Sequence, residues 1–115
     1  MDATVSTIYI YPDSDSPAQE LDDVEMTSSG PEGNRAKKHA VHLIAADDYV
    51  ATHPKANVVL DIESDTLAEL VGRVVRLGES SLRVTRTPAD CLGVYAEVIE
   101  PGRVAVGDRL LVAQD

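Results

Sequence analysis

Apolar and polar residues alternate along this chain in short runs, each bounded by turn residues. In residues 6–11, Ile8 and Ile10 alternate with Thr7, Tyr9 and Tyr11, the period of a half-buried strand. Residues 12–17 hold two prolines among Asp and Ser and cannot extend it. Residues 21–27 offer a short second strand, and residues 30–34 form a loop in which Gly33-Asn34 suits positive φ. Residues 40–45, mostly apolar, predict a central strand. Residues 47–51 can wind into one or two helical turns before Pro54, and residues 57–62 form a further strand. Thr66 and Glu69 stand at capping-box spacing, which predicts a single helical turn over 66–70.

The second half reads as hairpins. Residues 71–77 and 81–86 flank Gly78-Glu79, with Leu82 and Val84 facing inward and Arg83 and Thr85 outward. Residues 94–99, 104–106 and 109–112 complete the sheet, with Val94, Ala96, Val98, Val104 and Val106 expected in one core. Pro101-Gly102 is expected to join two of these strands by a type II or related turn, Pro fixing φ and Gly accepting its positive value. Seven or eight short strands at this spacing close most easily as a small, closed or nearly closed, mainly antiparallel β-barrel with one or two helical turns.

Composition agrees with that picture. The chain has 115 residues, enough for one domain, and holds no Phe and no Trp, so Val, Leu, Ile and Ala must fill the core. Its net charge of −10 is uneven: residues 1–34 contribute −8 with no Lys or Arg, and residues 35–115 contribute −2. The expected division is therefore an acidic N-terminal segment with one or two short strands (1–34) and a barrel (35–115). Overall acidity argues against a nucleic-acid partner, whose phosphates need clustered cations. Within 35–115 the candidates to meet a small anion are Arg35, Lys37, Lys38, Lys55, Arg83 and Arg86. No apolar run approaches a membrane span, the start lacks signal-peptide character, and a single cysteine suits a reducing compartment, so the cytoplasm is expected.

Little of the usual catalytic vocabulary is present. His39, His42 and His53 have no cysteine near them, and in a strand His39 and His42 would face opposite sides. No phosphate loop, nucleophile elbow or triad signature occurs. What remains is Cys91, the only cysteine, on the loop after Pro88. A lone thiol is inert packing, a reactive group or a ligand to something soft. Arg86 would lower its pKa and the neighbouring Asp90 would raise it unless its side chain points away, and composition does not decide between them.

The segments Gly-Pro-Glu-Gly-Asn-Arg (30–35), Ala-Val-His-Leu (40–43) and Lys-Ala-Asn-Val-Val-Leu (55–60) carry a resemblance. So do Leu-Arg-Val-Thr-Arg-Thr-Pro-Ala-Asp-Cys (82–91) and Gly-Val-Tyr-Ala-Glu-Val-Ile-Glu-Pro-Gly-Arg-Val-Ala-Val-Gly-Asp (93–108). In this order they resemble the molybdenum cofactor sulfurase C-terminal (MOSC) domain family. The resemblance implies a β-barrel that binds the molybdenum cofactor (molybdopterin) or carries sulfur, as a sulfurtransferase or a component of a molybdenum-dependent oxidoreductase. It implies Cys91 as persulfide carrier or metal ligand, Arg35, Lys55 and Arg86 as cations toward the pterin, and Asn57 shaping the rim. A sulfur donor or partner oxidoreductase would be the partner. Only Leu92 separates Cys91 from Gly93, where the family has a longer loop, and the N-terminus is acidic. Both keep open a non-catalytic barrel acting as a binding or regulatory module. A third reading is a pyridoxal-phosphate or other small-anion binder using Lys37, Lys38 or Lys55.

Overall fold

A computed structural model describes residues 3–35 and 37–113. Its elements are β1 (Ala3–Ile10), β2 (Gln19–Leu21), β3 (Asp23–Thr27), β4 (Gly30–Pro31), β5 (Val41–Ala45) and α1 (Ala46–Thr52). There follow β6 (Val58–Asp61), α2 (Ser64–Ala68), β7 (Val74–Leu77), β8 (Ser80–Arg86), β9 (Val94–Glu100), β10 (Gly102–Ala105) and β11 (Arg109–Val112).

Seven strands form a closed ring in the order β11-β7-β8-β9-β5-β6-β1, completed by pairing of β1 with β11. Closure leaves no open edge in the ring itself, and β2 extends the sheet beyond β1. All neighbours run antiparallel except β5 and β6, which are parallel, with α1 in the crossover between them. That crossover explains the apolar run of β5. Val41 and Leu43 enter the main core, while Ile44 packs outward with Ala56 and Val59 near Tyr49 of α1. A strand buried on both faces has no polar side to alternate with. From α2, Leu67 joins the main core, with Leu70 just beyond it.

The mainly β barrel with two short helices is the expected class, but several local expectations need correction. The N-terminal segment is not separate from the barrel, because β1 is a ring strand and β3 pairs with β10. β9 and β10 do not form a hairpin: β10 leaves the ring and joins β3 and β4 in a second sheet. Gly102 has no positive φ; it is glycine because a side chain there would overlap the Glu79 carbonyl. The second sheet sends Val24, Met26 and Val104 into the main core, whereas Val106 lies beyond β10 and is 46% exposed. The Thr66–Glu69 capping box does not form. The helix starts at Ser64 with Glu63 as N-cap and no side-chain cap, and the Ser64 hydroxyl donates to Asp48 instead.

Candidate functional site

After Arg86 the chain leaves the barrel wall. A register shift between Val84 and Arg86, opposite Ala96 and Tyr95, bulges Thr85, whose hydroxyl donates to the Tyr95 carbonyl at 3.2 Å. A bulge at a strand end re-aims the chain beyond it. Pro88 is buried, residues 89–93 bend, and Cys91 comes to the surface half-buried. The return to β9 is tight. Gly93 has φ +95°, and a Cβ there would overlap the Leu43 carbonyl and press on the His42 ring. Both requirements select glycine.

His42 holds this corner from behind. Its Nε2 lies 2.8 Å from the Leu92 carbonyl oxygen, and because a carbonyl only accepts, Nε2 must carry the proton. Burial pulls the imidazole pKa below its ordinary value; the Leu92 bond opposes this and the Lys37 charge adds to it. The neutral ring is the working form. The His42 backbone is fixed in turn by Asn57, whose Oδ1 accepts the His42 N–H at 3.1 Å and whose own N–H donates to the His42 carbonyl at 2.9 Å.

Tyr95 stands opposite His42 in the β5–β9 register. Its ring meets the edge of His42 at 5.2 Å and stacks on His39 at 4.0 Å, with the planes 8° apart. The two histidines thus converge on one aromatic ring. They were not expected to share a face, but His39 precedes the strand rather than lying in it. The Tyr95 hydroxyl lies near the Cys91 thiol and favours its ionised form. Burial pushes the thiol pKa up and the Asp90 carboxylate adds to this, while the Tyr95 hydroxyl and the Lys37 charge pull it down without cancelling the rise. Asp90 does not point away from the thiol's surroundings. It lines, with Cys91, Leu92, Ala89, Thr52 and Pro54, an open depression of about 590 Å³. A smaller hollow of about 130 Å³ on the other side of Cys91 includes Leu67, Thr87 and Gly93.

The expected cations divide into two groups. Lys37, half-buried, senses Arg35, Cys91 and Lys55; burial first, and then the Arg35 charge, pull its amine below the ordinary value. The Arg35 Nε is buried with no hydrogen-bond partner among the described residues. Lys55 is exposed and donates to the Ser14 carbonyl at 2.9 Å. Arg86 stands apart, in a hollow of about 260 Å³ with Lys38, His39 and Glu97, and the charge acting on the thiol is that of Lys37 instead. Asn57 is fully buried behind the rim, where its Nδ2 also donates to the Tyr9 carbonyl at 3.3 Å.

Sequence reasoning missed Tyr95 and His42. Each carried a signal. His42 is the one polar side chain in an apolar run and needs a buried partner. Tyr95 is an aromatic at an outward strand position in a chain with only four tyrosines.

No protein-family model matches the chain, and no curated protein matches it. Solved structures do. YuaD protein from Bacillus subtilis superposes with a TM-score of 0.76 at 14% identity, covering 97% of this chain and 96% of that one. YiiM from Escherichia coli gives 0.75 at 16% identity, covering 100% and 71%, and YiiM from Geobacillus stearothermophilus gives 0.71 at 13%, covering 97% and 75%. The fold is MOSC-like. At these identities the likeness extends to the fold alone. Among the described residues no helix is long and apolar enough to cross a membrane, and no three His, Cys, Asp or Glu side chains cluster to hold a metal ion.

Proposed function

We propose that this MOSC-like barrel uses the Cys91 thiol to hold a soft group, either the molybdenum of a pterin cofactor or a transferable sulfur atom. Arg35, Lys37 and Lys55 meet the ligand's negative charge in this reading. The observation that carries it is the buried Nε of Arg35, which lacks an acceptor among the described residues and lies close to Lys37, the cation that acts on the only thiol. An anionic group would supply that acceptor.

The donor set fits such a group. A thiolate is a soft ligand, suited to molybdenum or to sulfur exchange where a carboxylate is not. Without a cluster of three protein ligands among the described residues, a metal here would depend on donors that its own cofactor brings. When bound, the cofactor would supply a redox-active metal. The chain's own part is to ionise the thiol and place it. The Tyr95 hydroxyl and the Lys37 charge favour the thiolate, while burial and Asp90 oppose ionisation. In the sulfur-carrier form, the Cys91 thiolate attacks the outer sulfur of a persulfide donor. The donor's S–S bond breaks, its inner sulfur leaves as a thiolate, and Cys91 holds the persulfide.

A second reading, a non-catalytic binding module, draws on the raised thiol pKa, which keeps Cys91 protonated near neutral pH. One purification separates the two. Protein from a host that makes molybdenum cofactor is assayed for molybdenum and pterin fluorescence, and after treatment with a low-molecular-weight persulfide its mass is checked for one added sulfur. The expected result is a gain of one kind or the other in the native chain, abolished in a normally folded Cys91→Ser variant and reduced in Lys37→Ala. Native protein with neither metal, pterin nor added sulfur would leave the binding module standing.

A further inference from the structure

We infer that His42 is a positioning residue for Cys91, acting through the Leu92 carbonyl, and that its hydrogen bond rather than its bulk holds the thiol against Tyr95. The inference deepens the reading of Cys91 as the reactive group and rests on it for its functional meaning, but its geometry stands alone.

The corner from Pro88 to Gly93 has no ladder of its own, since β8 ends at Arg86 and β9 begins at Val94. Its closest tie to the barrel wall is the 2.8 Å bond from His42 Nε2 to Leu92, one residue beyond the thiol. Gly93 lies so near His42 that a Cβ would come within 2.7 Å of that same nitrogen. The corner is thus both pulled onto the imidazole and left no room to slide past it. From the other side, Tyr95 touches the His42 ring edge, and its hydroxyl is near enough to the Cys91 thiol to act on its ionisation. His42 therefore fixes the loop on one flank while its cross-strand partner receives the sulfur on the other. Asn57, fully buried, locks the His42 backbone through both its N–H and its carbonyl. A chain of contacts runs from the centre of the wall to the thiol: Asn57, His42, Leu92, Cys91. Buried polar groups that are fully bonded act in this way, narrowing the arrangements open to their neighbours.

The alternative is that His42 is core filler whose bond to Leu92 only satisfies a buried nitrogen. Two substitutions of similar size separate the ideas. In His42→Gln the side-chain amide can donate to the Leu92 carbonyl, and in His42→Leu nothing can. The readout is the rate of Cys91 alkylation by iodoacetamide from about pH 6 to 10, a range spanning the ordinary thiol pKa, with far-ultraviolet circular dichroism confirming that each variant is folded. No metal, cofactor or sulfur donor enters the assay, so its outcome is separate from that of the assay for the proposed function. The expected result is a native-like pH profile in His42→Gln. His42→Leu should show a midpoint displaced downward, toward that of an ordinary cysteine, with a severalfold faster rate at neutral pH as the loop frees the thiol. Tyr95→Phe, which removes the other flank, should also change the profile while leaving the Leu92 bond in place. Should His42→Leu unfold, Gly93→Ala tests the same seat by crowding the imidazole and should displace the profile in the same sense. Identical profiles in native protein and His42→Leu would overturn the inference, as would equal displacement in His42→Gln and His42→Leu.

Discussion

The turn from β7 to β8 and the corner from β8 to β9 both connect neighbours in the same ring, yet different forces hold them. At the first, Gly78-Glu79 reverses the chain between paired residues Leu77 and Ser80, and the Ser80 hydroxyl donates back to the Leu77 carbonyl at 2.8 Å. Its reversal follows from that local pairing, and its main tie to a distant segment is to the backbone of β10, where the Glu79 N–H donates to the Arg103 carbonyl at 2.9 Å. The second spans residues 87–93 and is shaped by His42 and Leu43 of β5, by Tyr95 and by Lys37. Regularity in the ring comes from alternation and ladder pairing. The chemistry sits where the ladder stops and side chains from distant segments take over, as expected when a rigid scaffold carries a functional loop.

The largest effect should come from the wall. Leu82, fully buried between β7 and β9, loses its packing in Leu82→Ala, and denaturant unfolding should show a loss of about 3 kcal/mol. A smaller loss should come from the bend at Pro101-Gly102. Gly102→Val drives a side chain into the Glu79 backbone, and a loss of about 1–3 kcal/mol is expected from overpacking rather than from backbone strain. An unchanged midpoint would mean that β10 can move off the turn without loss, and the contrast between rigid wall and shaped bend would weaken.

The smallest effect belongs to the Cys91 corner and is read with pH. His42 has a lowered folded-state pKa, so the unfolded chain binds a proton first, near its ordinary value of about 6.5. Stability should therefore fall as pH drops through about 6.5 and level off once the folded imidazole also titrates. His39 is shifted in the same direction, by burial and by the charge of Arg86, so His42→Gln should flatten only part of the slope. Thermal unfolding measured from about pH 8 to 5.5 checks this. A slope identical in His42→Gln would remove His42 from the balance.

Legibility in the sequence followed the same division. The strands at β1, β5, β6, β8 and β9 were readable because period-two alternation or an apolar run reports burial directly. The inward Leu82 and Val84 lie as the pattern required. The partner of β10 was not readable. Pro101-Gly102 looks like a hairpin turn, and only the approach of Glu79, more than twenty residues earlier, makes Gly102 a corner into a second sheet. At the site, Cys91 and its cationic surroundings were visible as residue types, but which cation acts on the thiol was not. Arg86 lies nearer in sequence, and Lys37 lies nearer in effect because the bulge at Thr85 and the β5–β9 pairing bring the segment before β5 over the corner.

The pairing of Ala3 with Leu110 has a kinetic consequence. During synthesis β1 emerges before its partners. β6 can line one of its sides and β2 the Ile8–Ile10 part of the other, but Ala3 and Thr4 wait for β11, the last strand of the ring to be made. Until then the Ala3–Thr4 end of β1 and the outer side of β7 expose unpaired backbone donors and acceptors. Closing so long a loop is entropically costly and slow, so the ring is expected to form late in folding. The interval before it forms is when this chain is most open to pairing with another copy of itself.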